Sequence, residues 1–387
     1  MNHPRKSICP GENTGKLIYA GRILVILLSS ILTLMLVIQV ALGCWSPADT
    51  GKSTGNGFDI TTRYNGYITN AIAKALEGFV KIEQVYMLSD NDTVAPKPDA
   101  TAFGKTDDPA SLQWLINKSH LFMDGQELLF STDTQILEGS QVHYYMDDTI
   151  LVITWKQPIE NVVYTFSEVK IAHPSQFRRF MSDGEYGSNR QYLTSEMAAS
   201  VNAIVASAGD YYKFRSLGSV TVDRQVMRFN GNALDICFID DNGDLILSYG
   251  GEILDLEAAQ RFVDDNNIRF SLCFGPVLVD DGKYVDAGYY PIGEIYMNYS
   301  RAAICQMGKL HYLMATANAE SNYRMYPTIP SFGKVLEGLG VEKAYALDGG
   351  QTATIVMNNE VINEVSYGAE RYISDIIYFA TAIPSDE

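Results

Sequence analysis

The amino-acid sequence predicts an α+β fold: a large mixed, mostly antiparallel sheet with packed helices, preceded by one N-terminal transmembrane helix. Three observations carry that reading. From Thr149 onward, β-branched and aromatic runs are punctuated by turn residues, and amphipathic stretches separate only some of them. Ile23 to Trp45 is an uncharged run of 23 residues. The full chain of 387 residues is 47% hydrophobic and 19% charged, a globular composition with room for two or three domains.

The N-terminal part divides by charge and apolarity. Residues 1–22 carry Arg5, Lys6, Lys16 and Arg22 against the single acid Glu12, and read as a basic cytoplasmic tail. Residues 23–45 are long enough, at about 1.5 Å rise per residue, to cross a ~30 Å hydrocarbon layer. Basic residues stand only on the N-terminal flank, so the expected orientation is a single-pass signal anchor with everything after Trp45 outside the cytoplasm. Cleavage after Ala41-Leu42-Gly43 and lipidation of Cys44 are the alternatives, and each of them also exports the rest of the chain. Residues 46–60 are rich in Ser, Thr, Gly and Asp and read as a flexible stalk. Residues 61–147 read as a membrane-proximal segment of undisclosed role, with a helix near 62–87, a linker over 88–109, a short helix over 110–121 and β-type chain from Gly125 to Phe130.

Residues 148–382 read as one strand-rich domain. Thr149–Trp155 and Val162–His173 are strand-like, and His173-Pro174-Ser175 is expected to open a short helix through Phe180. A hydroxyl-capped helix follows at 194–202, then a buried strand over 204–208. Asp241-Asn242-Gly243-Asp244 marks a hairpin between 234–239 and 245–249. A helix over 254–263 leads to one strand over 269–278. A hairpin pairs 301–306 with 311–316, a helix spans 331–339, and strands close the domain at 344–347 and 375–381.

Charge and composition exclude several functions. A net charge of −17 would repel nucleic acid. Five cysteines are too few and too irregularly spaced for a disulfide scaffold or a zinc ribbon, and Cys237, Cys273 and Cys305 sit in apolar strands as expected buried thiols. Five histidines show no metal spacing, and no HExxH, GxSxG or GxxxxGK[ST] occurs. No metal and no cofactor is expected.

Four short segments could carry chemistry. In Ala344–Thr354 a buried strand delivers Asp348 at its end, followed by Gly349, Gly350 and hydroxyl residues. Such glycines let backbone N–H groups approach a ligand, and the acid is placed to act as base or nucleophile. Asp210 stands in the same form, after Gly209 and before Tyr211 and Tyr212. Arg301 opens a strand, and Arg371 and Asp375 precede the last one. Each segment alone reads equally well as a capped turn, a surface charge or a structural ion pair.

Taken in order, they resemble the phosphodiester glycosidase family, the group that includes the mammalian enzyme uncovering mannose 6-phosphate on lysosomal hydrolases. The resemblance runs through most of 148–382: Ser195-Glu196-Met197-Ala198, Gly209–Tyr212, Ser271–Leu278, Ser300–Ile304, Leu347–Thr354 and Glu370–Asp375. It implies a membrane-anchored, extracytoplasmic glycosidase that cleaves a sugar-1-phosphodiester of N-acetylhexosamine type to free sugar and phosphomonoester. On that reading Asp348 and Asp210 are catalytic carboxylates. Arg301, Arg371, Gly349, Gly350, Thr352, Asp375 and Tyr211 bind substrate. The resemblance implies a glycan or sugar-phosphate substrate; the membrane through 23–45 and the absence of nucleic acid are expected from hydropathy and charge. Two departures stand out: Ala208 where the family often has asparagine, and Gln351 where it has a third glycine. They motivate the alternative of a catalytically weak surface glycan-binding or exopolysaccharide assembly protein with the same fold.

Overall fold

The computed structural model describes residues 88–89, 94–122, 125–291 and 294–384. The expected tail, anchor and stalk, and the helix near 62–87, lie outside the described residues. Among those described, no helix is long and apolar enough to cross a membrane.

Nine strands form the largest sheet, in the spatial order Phe103–Thr106, Val142–Met146, Ile150–Ile159, Val162–Ile171, His311–Asn318, Arg301–Gly308, Lys343–Leu347, Val277–Asp280, Lys283–Tyr284. A five-stranded sheet runs Glu360–Val361, Ile355–Met357, Val205–Ala208, Asp375–Phe379, Phe177–Met181. A three-stranded sheet is centred on Ile236–Asp240, and Gly218–Val222 pairs with Gln225–Asn230. The fold is therefore α+β and sheet-dominated, with short helices at Gln113–Lys118, Thr194–Ser200, Leu256–Asp265 and Ile329–Gly338. The expected mixed sheet is corrected: every ladder between described strands is antiparallel. Hairpins or short turns join seven of the fifteen paired neighbours and the rest are distant in sequence; antiparallel pairing needs no crossover helix.

Burial on both faces extends even to the polar positions Thr165, Ser167, Glu168 and Lys170. Val162–Ile171 is buried at all ten positions. One face of the large sheet, through Val152, Val169, Ile304 and Met314, packs on Phe177, Ile377 and Phe379 of the five-stranded sheet. Phe177 and Phe379 stack at 4.7 Å. The other face, through Trp155, Phe166 and Ala303, is covered by Phe332 and Leu336 of the helix Ile329–Gly338 and by Leu112, Leu115 and Phe130. Several polar groups inside this layer are paired, as burial favours. Thr154 and Ser167 share a 2.7 Å hydroxyl contact, and Glu168 accepts from the Leu129 and Phe130 amides and meets His311 Nε2 at 2.7 Å.

Several local expectations change for identifiable reasons. Residues 103–106 form an edge strand of the large sheet and 142–146 the strand beside it, so the described part of 61–147 packs into the sheet domain and does not stand apart from it. Residues 125–130 form no strand, because the Leu129 and Phe130 N–H groups go to the Glu168 carboxylate and not to a ladder. His173–Phe180 is a single turn, Pro174–Gln176, followed by the strand Phe177–Met181. The expected strand over 269–278 is two strands, Ile268–Leu272 and Val277–Asp280, in different sheets. Pro276 has no N–H to continue a ladder, and the chain changes sheets there.

Candidate active site

The site grows out of the ends of strands in both larger sheets. Leu347 pairs with Ala302, so Asp348, just past one strand, emerges beside Arg301 at the start of its neighbour. Gly349 turns the chain directly against that neighbour: a Cβ there would lie 2.6 Å from the Ser300 carbonyl oxygen. The Gly350 N–H donates to the same carbonyl at 2.8 Å, and the Thr352 hydroxyl donates to the Gly349 carbonyl at 2.7 Å. Only glycine allows this approach. Gly349→Ala is accordingly expected to push the turn off Ser300, displace Asp348 and lower turnover on the order of 100-fold, since small misplacements of reacting groups cost that much. Steady-state kinetics of a variant with wild-type circular dichroism checks it.

The turn opens into a cleft of about 840 Å³, whose walls include Asp348, Gly349, Gly350, Gln351, Arg215, Arg301, Arg371, Tyr211, Phe274 and Tyr299. Each arginine in this wall lies over an aromatic ring of the same wall. Arg371 is 5.3 Å from the Tyr211 centroid and 4.8 Å from that of Phe214, Arg215 is 5.0 Å from Phe274, and Arg301 is 5.6 Å from Tyr299. Cation–π stacking fixes the guanidinium planes without consuming their N–H donors. Two of the arginines still spend donors on the backbone. Arg301 Nη2 donates to the Glu294 carbonyl at 3.0 Å and to that of Met297, holding the loop above it. Arg215 Nη2 donates to the Cys273 carbonyl at 2.7 Å and the Phe274 carbonyl at 3.2 Å. The Nε atoms of Arg301 and Arg215 are buried without a hydrogen-bond partner among the described residues. Arg371 makes no hydrogen bond or ion pair among them, so its donors are uncommitted.

Burial sets the electrostatics. Asp348 is only 8% exposed, and that burial lifts its carboxyl from 3.8 to about 7. The Thr352 hydroxyl beside it and the Arg371 and Arg215 charges pull the other way, while Asp210 adds to the rise. Burial also lowers the Arg301 guanidinium to about 10, against the opposing pull of Glu294. A carboxyl titrating near neutrality, within reach of the Arg371 and Arg215 charges and in one cleft with Arg301, can carry a proton during a reaction.

Beneath the cleft lies a buried ion cluster. Arg179 approaches Asp375 Oδ2 through Nε at 2.8 Å and Nη2 at 2.7 Å, and Asp210 Oδ2 at 3.8 Å. Burial opposes the Arg179 charge, but the two carboxylates outweigh it and hold the guanidinium firmly protonated. Asp375 is pushed upward by its own burial, with Arg179 acting against the shift. The Asp210 carboxylate accepts from the Tyr211 amide at 2.7 Å and the Cys273 amide at 2.8 Å. Gly209 makes room for this arrangement, since a Cβ there would meet Asp375 Oδ2 at 2.5 Å.

The structure thus brings six of the expected residues to one cleft: Asp348, Arg301, Arg371, Gly349, Gly350 and Tyr211. Three expectations change. Asp210, expected as a second catalytic carboxylate, is absent from the cleft wall, and its oxygens are taken by two amides and Arg179. It positions Tyr211 and the 273–274 turn. Asp375, expected to bind substrate, is fully buried on Arg179. Thr352, likewise expected in the pocket, is buried and braces the glycine turn. Sequence reasoning missed Arg215, whose partners only the fold reveals, and Arg179. A signal for Arg179 existed in Phe177-Arg178-Arg179-Phe180: consecutive arginines in an apolar strand require buried acids. The departures also find their places. Ala208 is buried in the five-stranded sheet and absent from the cleft wall, whereas Gln351 lines the cleft and donates to the Ala369 carbonyl at 3.0 Å.

Residues 197–380 match the profile of the family described as phosphodiester glycosidase. The family resemblance holds over this stretch. The phosphodiester glycosidase match contains Asp348 and all three cleft arginines, and leaves out Arg179 and the strands before it. No curated protein matches the chain significantly. Among solved structures, the zebrafish N-acetylglucosamine-1-phosphodiester alpha-N-acetylglucosaminidase catalytic domain, auto-inhibited by its pro-peptide, overlaps 68% of this chain and 93% of its own, at 18% identity and a TM-score of 0.47. A hypothetical protein from Synechocystis overlaps 62% of this chain and 64% of its own, at 12% identity and a TM-score of 0.44.

Proposed function

We propose that this protein is an extracytoplasmic glycosidase that hydrolyses a sugar-1-phosphodiester of N-acetylhexosamine type to free sugar and phosphomonoester. The family match supports a glycosidase-type activity. The observation that carries the finer reading is the meeting, in one cleft, of a carboxyl raised to about 7 with three ring-stacked arginines. Water attacks the anomeric carbon while the bond from that carbon to the phosphodiester oxygen breaks. The electron pair leaves on the phosphate, already a good leaving group, so the reaction needs anion stabilisation more than a strong general acid. Arg371 is the primary phosphate contact because its donors are uncommitted, and the Arg301 and Arg215 charges add to the field. Asp348, in its ionised form, takes the proton from water. Export rests on the uncharged run at 23–45 with its basic N-terminal flank.

Incubating the full-length protein with a panel of sugar-1-phosphodiesters tests the reading. Free reducing sugar and phosphomonoester should appear in equal amounts. Release of neither from any member, by protein shown to be folded, would refute it.

A further inference from the structure

Five aromatic residues stand in the cleft wall, and they divide into two groups. Tyr211, Phe274 and Tyr299 are each paired with an arginine. The side chains of Tyr326 and Tyr367 have no hydrogen-bond, ring or cation partner among the described residues. Tyr367 is also 91% exposed at a backbone φ of +65°. A bulky residue held in the left-handed region, with its ring in solvent, is strained in a way no packing contact offsets, and such placements concentrate at functional sites. Its base is fixed: the preceding Ser366 meets the Ser300 hydroxyl at 2.6 Å, and Gly368 N–H donates to the Val365 carbonyl at 2.9 Å.

We propose that Tyr326 and Tyr367 form a sugar-stacking subsite beside the arginines, and that the sugar part of the phosphodiester substrate is an uncharged oligosaccharide rather than a single sugar. Its terminal unit reacts at Asp348 and its following units pass over these two rings. The inference rests on the reading above in taking the reacting unit to be a sugar. Exposed tyrosine rings offer flat apolar faces to the C–H faces of a pyranose and a hydroxyl to its edge. The Asn298 and Ser366 side chains in the same wall supply donors and acceptors for ring hydroxyls. A cleft of about 840 Å³ lies toward the upper end of the roughly 300–1,000 Å³ range of small-ligand sites, which leaves room beyond one sugar and its phosphate. A net charge of −17 disfavours a polyanionic chain and leaves a neutral one.

Calorimetric titration of the full-length protein with phosphate-free sugars tests the subsite apart from hydrolysis. The probes are glucose and its maltose-type oligomers to four units, and N-acetylglucosamine and its chitin-type oligomers to four units. Affinity should rise at least 10-fold from one unit to three in one of the series, and Tyr367→Gly should abolish that gain. Glycine accepts the positive φ, so this variant removes the ring without imposing new strain. Affinity independent of length in both series would overturn the proposal. So would a gain that survives both Tyr367→Gly and Tyr326→Ala. Because no probe carries a phosphodiester, this result stands or falls separately from the sugar-1-phosphodiester panel.

Discussion

Replacing Asp348 by asparagine should lower kcat by about 10²–10⁴-fold, the usual contribution of a positioned proton-transfer group, while making the folded protein more stable in mild alkali. The two signs have one cause. The Asp348 carboxyl titrates near 7 in the fold against an ordinary 3.8, so the native state holds a proton that the unfolded chain has released between those values. Stability therefore falls as pH rises from about 3.8 towards 7 and stays low above, by up to about 4 kcal/mol for a shift of that size. Asparagine does not ionise and escapes this cost. At pH 8 the variant should melt higher than the parent, and near pH 3 the two should converge. A variant that loses activity and also melts lower at pH 8 would identify Asp348 as a structural anion and not a strained catalytic one.

Arg179→Met should be the most damaging single change to stability. It leaves Asp375, fully buried, and Asp210, nearly so, as adjacent carboxylates without a counter-charge. Breaking a buried pair from one side costs roughly 3–5 kcal/mol. For a domain of this size the melting temperature should fall on the order of 10 °C. The Nη1 donation to the Ser271 carbonyl is lost as well, which loosens the junction between the five-stranded and three-stranded sheets. The deficit should shrink in acid, because protonating Asp375 removes one of the stranded charges. Thermal unfolding at pH 5 and pH 8 measures both effects. An unchanged melting temperature at pH 8 would show that the cluster is not stabilised by its arginine.

The sequence made the centre of the site legible and its supports less so. Asp348 could be found because strand, acid and paired glycines are adjacent in the chain, and the Ser300 contact shows why Gly349 is required. Arg301 and Arg371 could be named as cationic. Their placement beside Asp348 comes from the 302–347 register and from the Tyr211–Phe214 platform, neither of which is local. Asp210 and Asp375 look like Asp348 in sequence, each a strand-end acid beside a turn. What separates them is Arg179, about 30 residues before the first and nearly 200 before the second, which claims both. The strand order likewise depends on long-range pairing. Phe103–Thr106 reads as linker because four partly exposed residues carry little periodic signal, and it becomes a strand only because Val142–Met146 is there to pair with it.

The proposed hydrolysis depends on a buried carboxyl at position 348 accepting a proton during cleavage. The pH dependence of kcat/KM on a sugar-1-phosphodiester tests it most directly. kcat/KM should rise tenfold per pH unit below about 7 and level off above it, with no such rise in the residual activity of Asp348→Asn. A profile that is flat across pH 5–8, or that falls with rising pH, would contradict it.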